Sequence, residues 1–323
     1  MSAVEQSSVT IGPTAEALET HRGELTAYCY RMLGSPFEAE DAVQETLIRA
    51  WRGIGRFEGR SALRSWLYRI ATNVCLDLLN GRERRVRPMD LGPARAPELA
   101  NLTTLPAGTW IQPLPESDPA EIAAGRETIR LAFVAALQLL PPRQRAALIL
   151  CEVLHWRAAE VAELLDTSVA SVNSALQRAR ATLAASETSA ADPLLPLDDA
   201  DRELLDRYVR AFERYDMEAL TALLHEDATQ SMPPYDLWLH GRDDILTWWF
   251  GPGIGCRGSR VIPAVAANGS PAFGQYKPSA TGDGYEPWAL QVVELSAGRF
   301  GELTFFLDTE RLFPLFGLPT RLE

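Results

Sequence analysis

A chain of 323 residues, 46% hydrophobic and 23% charged, exceeds one ordinary domain and has a globular composition, which excludes extensive disorder. No apolar run reaches the roughly 18 residues of a membrane span, and the opening MSAVEQSSVTIGP lacks the basic and apolar parts of a signal peptide, so a cytoplasmic protein with no membrane contact is expected. The net charge of −12 would argue against nucleic acid, but residues 1–190 hold 20 Arg and 22 acidic residues, whereas residues 191–323 hold 11 basic and 21 acidic ones. Acidity therefore belongs to the C-terminal third, and Arg49–Arg87, with 10 Arg against Glu58, Asp77 and Glu83, is a candidate phosphate-binding stretch.

Residues 1–13 are expected to be a flexible tail. A helical unit over 14–88 follows, in which Val43, Leu47 and Trp51, then Leu63, Trp66, Leu67, Ile70, Val74 and Leu78, recur at the spacing of a buried helix face. Ser65, Arg69 and Asn73 step along the opposite face, where they form either a solvated surface or a set of groups reaching bases and phosphates together. Prolines 88, 93, 97, 106, 113, 115 and 119 mark a linker over 89–121.

A second helical unit spans 122–187. Arg157–Leu165 reads as a short amphipathic helix, Asp166-Thr167-Ser168 as a turn, and Val169–Leu183 as a second helix capped by Ser168. This is a helix-turn-helix pattern, though two helices of an ordinary bundle look similar. Val172, Leu176, Ala179 and Leu183 would pack inward, leaving Asn173, Ser174, Gln177 and Arg178 outward, side chains able to pair with adenine and guanine edges. A further linker covers 188–199, and 200–323 reads as two helices, an extended stretch, a Trp-rich helical piece at Asp243–Phe250 and strands at Arg260–Ala266, Trp288–Leu295 and Glu302–Leu307. The expected architecture is two all-α domains followed by an α+β domain. Cys29, Cys75, Cys151 and Cys256 form no CxxC pair and are expected as free thiols, with no metal site and no cofactor.

The runs DAVQETLIRAW (41–51) and RFEGRSALRSWLYRIATNVCLDLLNGRERR (56–85) resemble region 2 of extracytoplasmic-function sigma factors, and LPPRQRAALILCEVLHWRAAEVAELLDTSVASVNSALQRARATL (140–183) resembles their region 4. The resemblance implies that Asp41, Gln44, Glu45 and Arg49 grip the polymerase beta-prime clamp helices. It further implies that Trp66, Arg69 and Asn73, with the loop Phe57–Ser61, open and read the minus 10 element, Asn73 being chosen for the extruded base. Trp66 is equally suited to the core. Asn173, Ser174, Gln177 and Arg178 fall at the minus 35 element and Arg180 nearer its phosphates, so core RNA polymerase, including its beta flap, and promoter DNA are the implied partners. Asn173 and Ala175 replace frequently basic residues, and Asp166 stands where Gly is usual, which implies weaker phosphate attraction with the fold unaffected.

TWIQPLPESDP (109–119) resembles the W-x-x-P-x-P element of sigma factors with a C-terminal extension, and Trp110, Pro113 and Pro115 suit docking as an extended segment. Residues 200–323, ending in FLDTERLFPLFGLP, resemble the SnoaL-like, nuclear-transport-factor-2-like cone. Asp227, Asp236, His240 and Glu294 are available as acids or bases, but no motif fixes any of them in a catalytic role, and Trp238, Trp248, Trp249, Tyr276 and Trp288 could line a pocket or serve as plain core. Ligand sensing or protein-protein regulation, with a small-molecule or protein ligand, is the expected role of this domain rather than catalysis. The competing reading is a helix-turn-helix regulator carrying a ligand-binding or catalytic SnoaL-like domain.

Overall fold

The structure, a computed structural model, describes residues 15–57, 62–116, 130–185 and 197–323. Two compact units divide the chain, Met1–Arg82 with Leu140–Thr182 and Glu83–Leu139 with Leu183–Glu323. The N-terminal tail, the loop 58–61 and most of the second linker lie outside the described residues.

In the first unit, α1 (Ala15–Glu19) and α2 (Arg22–Leu33) precede α3 (Pro36–Gly53) and α4 (Leu63–Leu79). A two-residue Gly-Ser turn joins α2 to α3: Gly34 takes the left-handed conformation (φ 71°) and donates to Tyr30 O at 2.7 Å, Ser35 accepts from the Glu38 N–H at 3.4 Å, and Pro36 opens the helix. The core gathers Leu25, Tyr28, Cys29, Val43, Leu67, Tyr68, Ala71 and Cys75, with the Tyr28 and Thr72 hydroxyls 2.7 Å apart.

The buried stripes correct the expected ones. Trp51 is 57% exposed, whereas Val43, Leu47 and Ala50 are buried. Steps of four overrun the helical period of 3.6, so the third inward position falls on residue 50. The same drift in α4 buries Leu67, Tyr68, Ala71, Val74 and Cys75 and leaves Trp66, Ile70 and Leu78 half-buried.

Past α5 (Leu131–Gln138), which belongs to the second unit, α6 (Pro142–Leu148) runs into a π-helical turn, Ile149–Val153, then α7 (Ala158–Leu164) and α8 (Val169–Ala185). The buried Arg145 guanidinium donates to Met32 O and, at 3.1 Å, to Leu140 O, satisfying two carbonyls inside this unit.

The second unit holds α9 (Asp199–Arg214), α10 (Met217–Leu223), α11 (Arg242–Phe250) and α12 (Thr309–Leu315) with strands β1 (Leu224–Ser231), β2 (Trp238–His240), β3 (Arg260–Ala267), β4 (Ser270–Pro278), β5 (Tyr285–Ser296) and β6 (Arg299–Phe306). The sheet order is β2-β1-β6-β5-β4-β3, with β1 and β6 parallel and every other pair antiparallel. Tyr208, Phe212, Leu220, Ile245 and Trp249 from the helices pack on Phe273, Val293, Phe300 and Leu303 from the strands. Strand β4 escaped the expectation although Asn268-Gly269 announces it: both residues have positive φ (54° and 82°), as a two-residue hairpin turn requires.

Candidate functional site

Three surfaces carry the candidate residues. On α3, Asp41, Gln44 and Arg49 are exposed and Glu45 is half-buried, opposite the face that supplies Ala42, Val43 and Thr46 to the core. Arg49 Nε donates to Glu45 Oε1 at 2.7 Å, which raises the arginine's already high pKa. Ile48 and Trp51, 37% and 57% exposed, add apolar area to the same flank. The sequence reading missed both as surface groups; the 3.6-residue drift was the available signal.

On α4, Arg69 and Asn73 are exposed one turn apart. Trp66 is half-buried, its ring 5.0 Å from that of Phe57 and close enough to Gly53 that a Cβ there would meet it at 3.2 Å. Arg69 donates to Glu163 O at 3.3 Å and to its carboxylate at 3.4 Å, so a guanidinium suited to phosphate is engaged by α7. Of the loop Phe57–Ser61 only Phe57 lies within the described residues.

The helix-turn-helix is built by local chemistry. Asp166 takes the left-handed conformation (φ 50°), and Ser168 Oγ accepts from the Ser171 N–H at 3.1 Å, capping α8. Val172, Leu176 and Ala179 are buried, Leu183 is half-buried, and Asn173, Ser174, Gln177 and Arg178 form the solvent face. Arg180 pairs with Glu152, so this candidate phosphate contact has a carboxylate competitor within the unit.

The proline-rich segment packs within the second unit. Val86 and Trp110 pair across a parallel bridge in which Val86 N donates to Thr109 O at 2.8 Å and Ile111 N to Val86 O at 3.1 Å. Trp110 is 3% exposed, and Pro113 is buried. Beyond it Pro115 faces Ala267 in a bridge: Asn268 N donates to Leu114 O at 2.9 Å, Leu114 N to Asn268 Oδ1 at 2.8 Å, and Glu116 N to Ala266 O at 2.9 Å. A charged cluster adds to this packing. Glu294 and Glu302 stand opposite one another on β5 and β6; Arg130 pairs with Glu294, and the Arg87 guanidinium lies in their field. Burial pushes the Glu302 carboxyl up, and Glu294 adds to the rise while Arg87 opposes it.

A cavity of about 420 Å³, including its open mouth, lies in the C-terminal domain against Phe212, Tyr215, Gln230, Trp248, Trp249 and Trp288. Trp238 and Tyr276 do not line it. The Trp238 indole donates to Gly92 O at 2.8 Å, and Tyr276 is buried, its hydroxyl donating to Pro319 O at 2.8 Å. None of the four candidate acids and bases lines it either. Asp227 and His240 are exposed, Asp236 pairs with Arg95 at 2.6 Å, and Glu294 with Arg130. All four cysteines are free; Cys29 and Cys75 are buried, Cys151 and Cys256 only partly so. Among the described residues there is no cluster of metal-ligating side chains, and no helix is long and apolar enough to cross a membrane.

Residues 17–85 match Sigma-70 region 2, residues 130–183 match Sigma-70, region 4, and residues 205–302 match the SnoaL-like domain. The chain is 46% identical over 312 residues to the ECF RNA polymerase sigma factor SigG of Mycobacterium tuberculosis, covering 94% of this chain and 83% of that protein. It is 28% identical over 325 residues to SigJ of the same species, covering 95% and 93%. The crystal structure of SigJ shares the fold, with a TM-score of 0.61 and 22% identity over 95% of this chain and 100% of that one. With helical sigma regions 2 and 4 followed by an α+β SnoaL-like domain, this chain belongs to the extracytoplasmic-function family of RNA polymerase sigma factors and directs promoter-specific transcription.

Proposed function

We propose that the α3 face formed by Asp41, Gln44, Glu45 and Arg49, extended by Ile48 and Trp51, engages the beta-prime clamp helices of core RNA polymerase. In this reading α4 opens and reads the minus 10 element through Arg69 and Asn73, with Trp66 and Phe57 as the apolar wall beside the extruded base. Helix α8 reads the minus 35 element through Asn173, Ser174, Gln177 and Arg178, Arg180 reaching phosphate on release from Glu152, and region 4 meets the beta flap. The observation that carries the reading is the one-sided burial of α8: Val172, Leu176 and Ala179 close the core while four base-pairing side chains share its solvent face.

The C-terminal domain modulates activity in cis by holding the segment between the two promoter-reading regions, and its cavity takes a small-molecule ligand. The cavity lining argues against catalysis by a carboxylate or imidazole there, since neither is among its side chains. The decisive experiment mixes the purified chain with core polymerase on candidate promoters. Initiation that depends on this chain is expected. DNA binding with no affinity for core would make it a free-standing helix-turn-helix regulator.

A further inference from the structure

Lys277 is the only lysine in a sequence otherwise served by arginine. It sits near the end of β4 with its Nζ 3.1 Å from the centroid of the Trp288 ring and 3.9 Å from where a Cβ on Gly255, the neighbour of Cys256, would stand. Burial lowers the pKa of its amine, and Cys256 opposes the shift. Cys256 ends the short 3-10 segment Pro252–Cys256 and lines the cavity beside Trp248, Trp249 and Trp288. That segment lies close against α11: a Cβ on Gly253 would sit 2.9 Å from Trp248 O, so glycine is needed for the approach. Deeper in the cavity, Gln230 is 2% exposed, and its Oε1 accepts from Trp249 Nε1 at 2.7 Å. The bond fixes the amide orientation and leaves its NH2, which has no partner among the described residues, as a donor for a carbonyl oxygen.

We propose that Cys256 and Lys277 form a covalent capture site for apolar α,β-unsaturated carbonyl compounds, which enter the aromatic cavity and are held by the Gln230 amide. Each element of the site matches one part of such a molecule: aromatic walls for the hydrocarbon, an amide donor for the carbonyl, and a thiol with an adjacent base for the electrophilic carbon. The Cys256 proton passes to the Lys277 amine, and the sulfur lone pair forms a bond to the β-carbon. The carbon–carbon π pair moves onto the carbonyl as an enolate, and the lysine proton returns to the α-carbon. One S–H bond and one π bond are lost, one S–C and one C–H bond are gained, and no oxidant or reductant takes part. The other ionisable groups in the field of the pair are the Tyr208 and Tyr215 phenols, both pushed up by burial and so uncharged at neutral pH, Arg257 beside Tyr215, and Glu286 across the ladder from Lys277.

The test is read on the free full-length protein and stands apart from the polymerase reading. The chain is incubated with 4-phenyl-3-buten-2-one at pH 7 and followed by intact-mass spectrometry and peptide mapping. One added probe mass without loss of water is expected, at Cys256 and not at the comparably accessible Cys151. Lys277→Met slows labelling at least about tenfold at pH 7. The two rates draw together as pH rises, because hydroxide then takes over the role of the base. Lys277→Arg, which keeps a cation over Trp288 but cannot act as a base, is slow in the same way and guards against a folding defect in the methionine variant. Equal labelling of Cys151 and Cys256, an adduct on the Lys277 amine with loss of water, or wild-type rates for both Lys277 variants at pH 7 would each overturn the proposal.

Discussion

Two side chains carry the sharpest predictions about DNA. Asn73 is exposed on α4 and adds nothing to the core, so Asn73→Ala is expected to leave thermal stability and core-polymerase affinity unchanged while reducing open-complex formation. Permanganate footprinting of the melted region measures this, and an unaltered footprint would remove Asn73 from the minus 10 site. Arg178 is exposed and has no protein partner among the described residues, so nothing in the fold competes for its guanidinium. Arg178→Ala is expected to weaken binding of the minus 35 element by about 1–3 kcal/mol and relax preference at one base pair. Fluorescence anisotropy with single-base promoter variants checks it; a uniform loss with a shallower salt dependence would identify a phosphate contact. Arg180 differs from Arg178 because a DNA phosphate must displace Glu152 to reach it.

At the level of elements, β5 and β6 place two carboxylates directly opposite one another, an arrangement that costs stability unless cations intervene. Arg87 and Arg130 supply them, yet the Glu302 carboxyl remains raised, chiefly through burial. A carboxyl with a higher pKa folded than unfolded keeps its proton longer in the folded state. Its contribution is then most favourable below the unfolded value of about 4.3 and is lost as pH rises through the folded value. Glu302→Gln removes that loss. Relative to wild type, the variant is therefore expected to gain stability as pH rises from about 4 to 7, seen as a widening difference in Tm. A constant difference across the range would show that Glu302 does not titrate differently on folding.

On the scale of the whole molecule, the described residues between regions 2 and 4 belong to the second unit. Arg87 and Arg130 flank this segment; Arg130 pairs with Glu294, and Arg87, paired with Asp90, lies in the field of Glu294 and Glu302, so the C-terminal domain constrains both of its ends. The double substitution Arg87→Gln with Arg130→Gln is expected to loosen this constraint and change core-dependent transcription by more than about twofold, while binding of a minus 35 duplex stays at the wild-type value. Multi-round transcription at low and high salt, beside duplex binding, measures the split. Unchanged transcription would reduce the contact to structural packing.

Much of this was legible in the sequence because it is local. Gly34-Ser35-Pro36, Ser168 at the start of α8 and Asp166 in the turn each act through their own backbone, and the 3.6-residue period sorts Val172, Leu176 and Ala179 from Asn173, Gln177 and Arg178 without reference to any partner. The sequence by itself thus determined the sigma-type helices, the helix-turn-helix and the α+β character of the last domain. Tertiary structure decided what depends on residues far apart in the chain. It exposed Trp51 and buried Trp110, placed Trp238 against Gly92, set Asp236 against Arg95, gathered Cys256 and Gln230 around one cavity and laid Lys277 over Trp288 of its wall. A tryptophan carries the same propensity in core, cavity wall or docking site, and a carboxylate the same charge whether free or paired. Which role each fills is settled only when burial and a distant partner fix the balance of desolvation and contact energy.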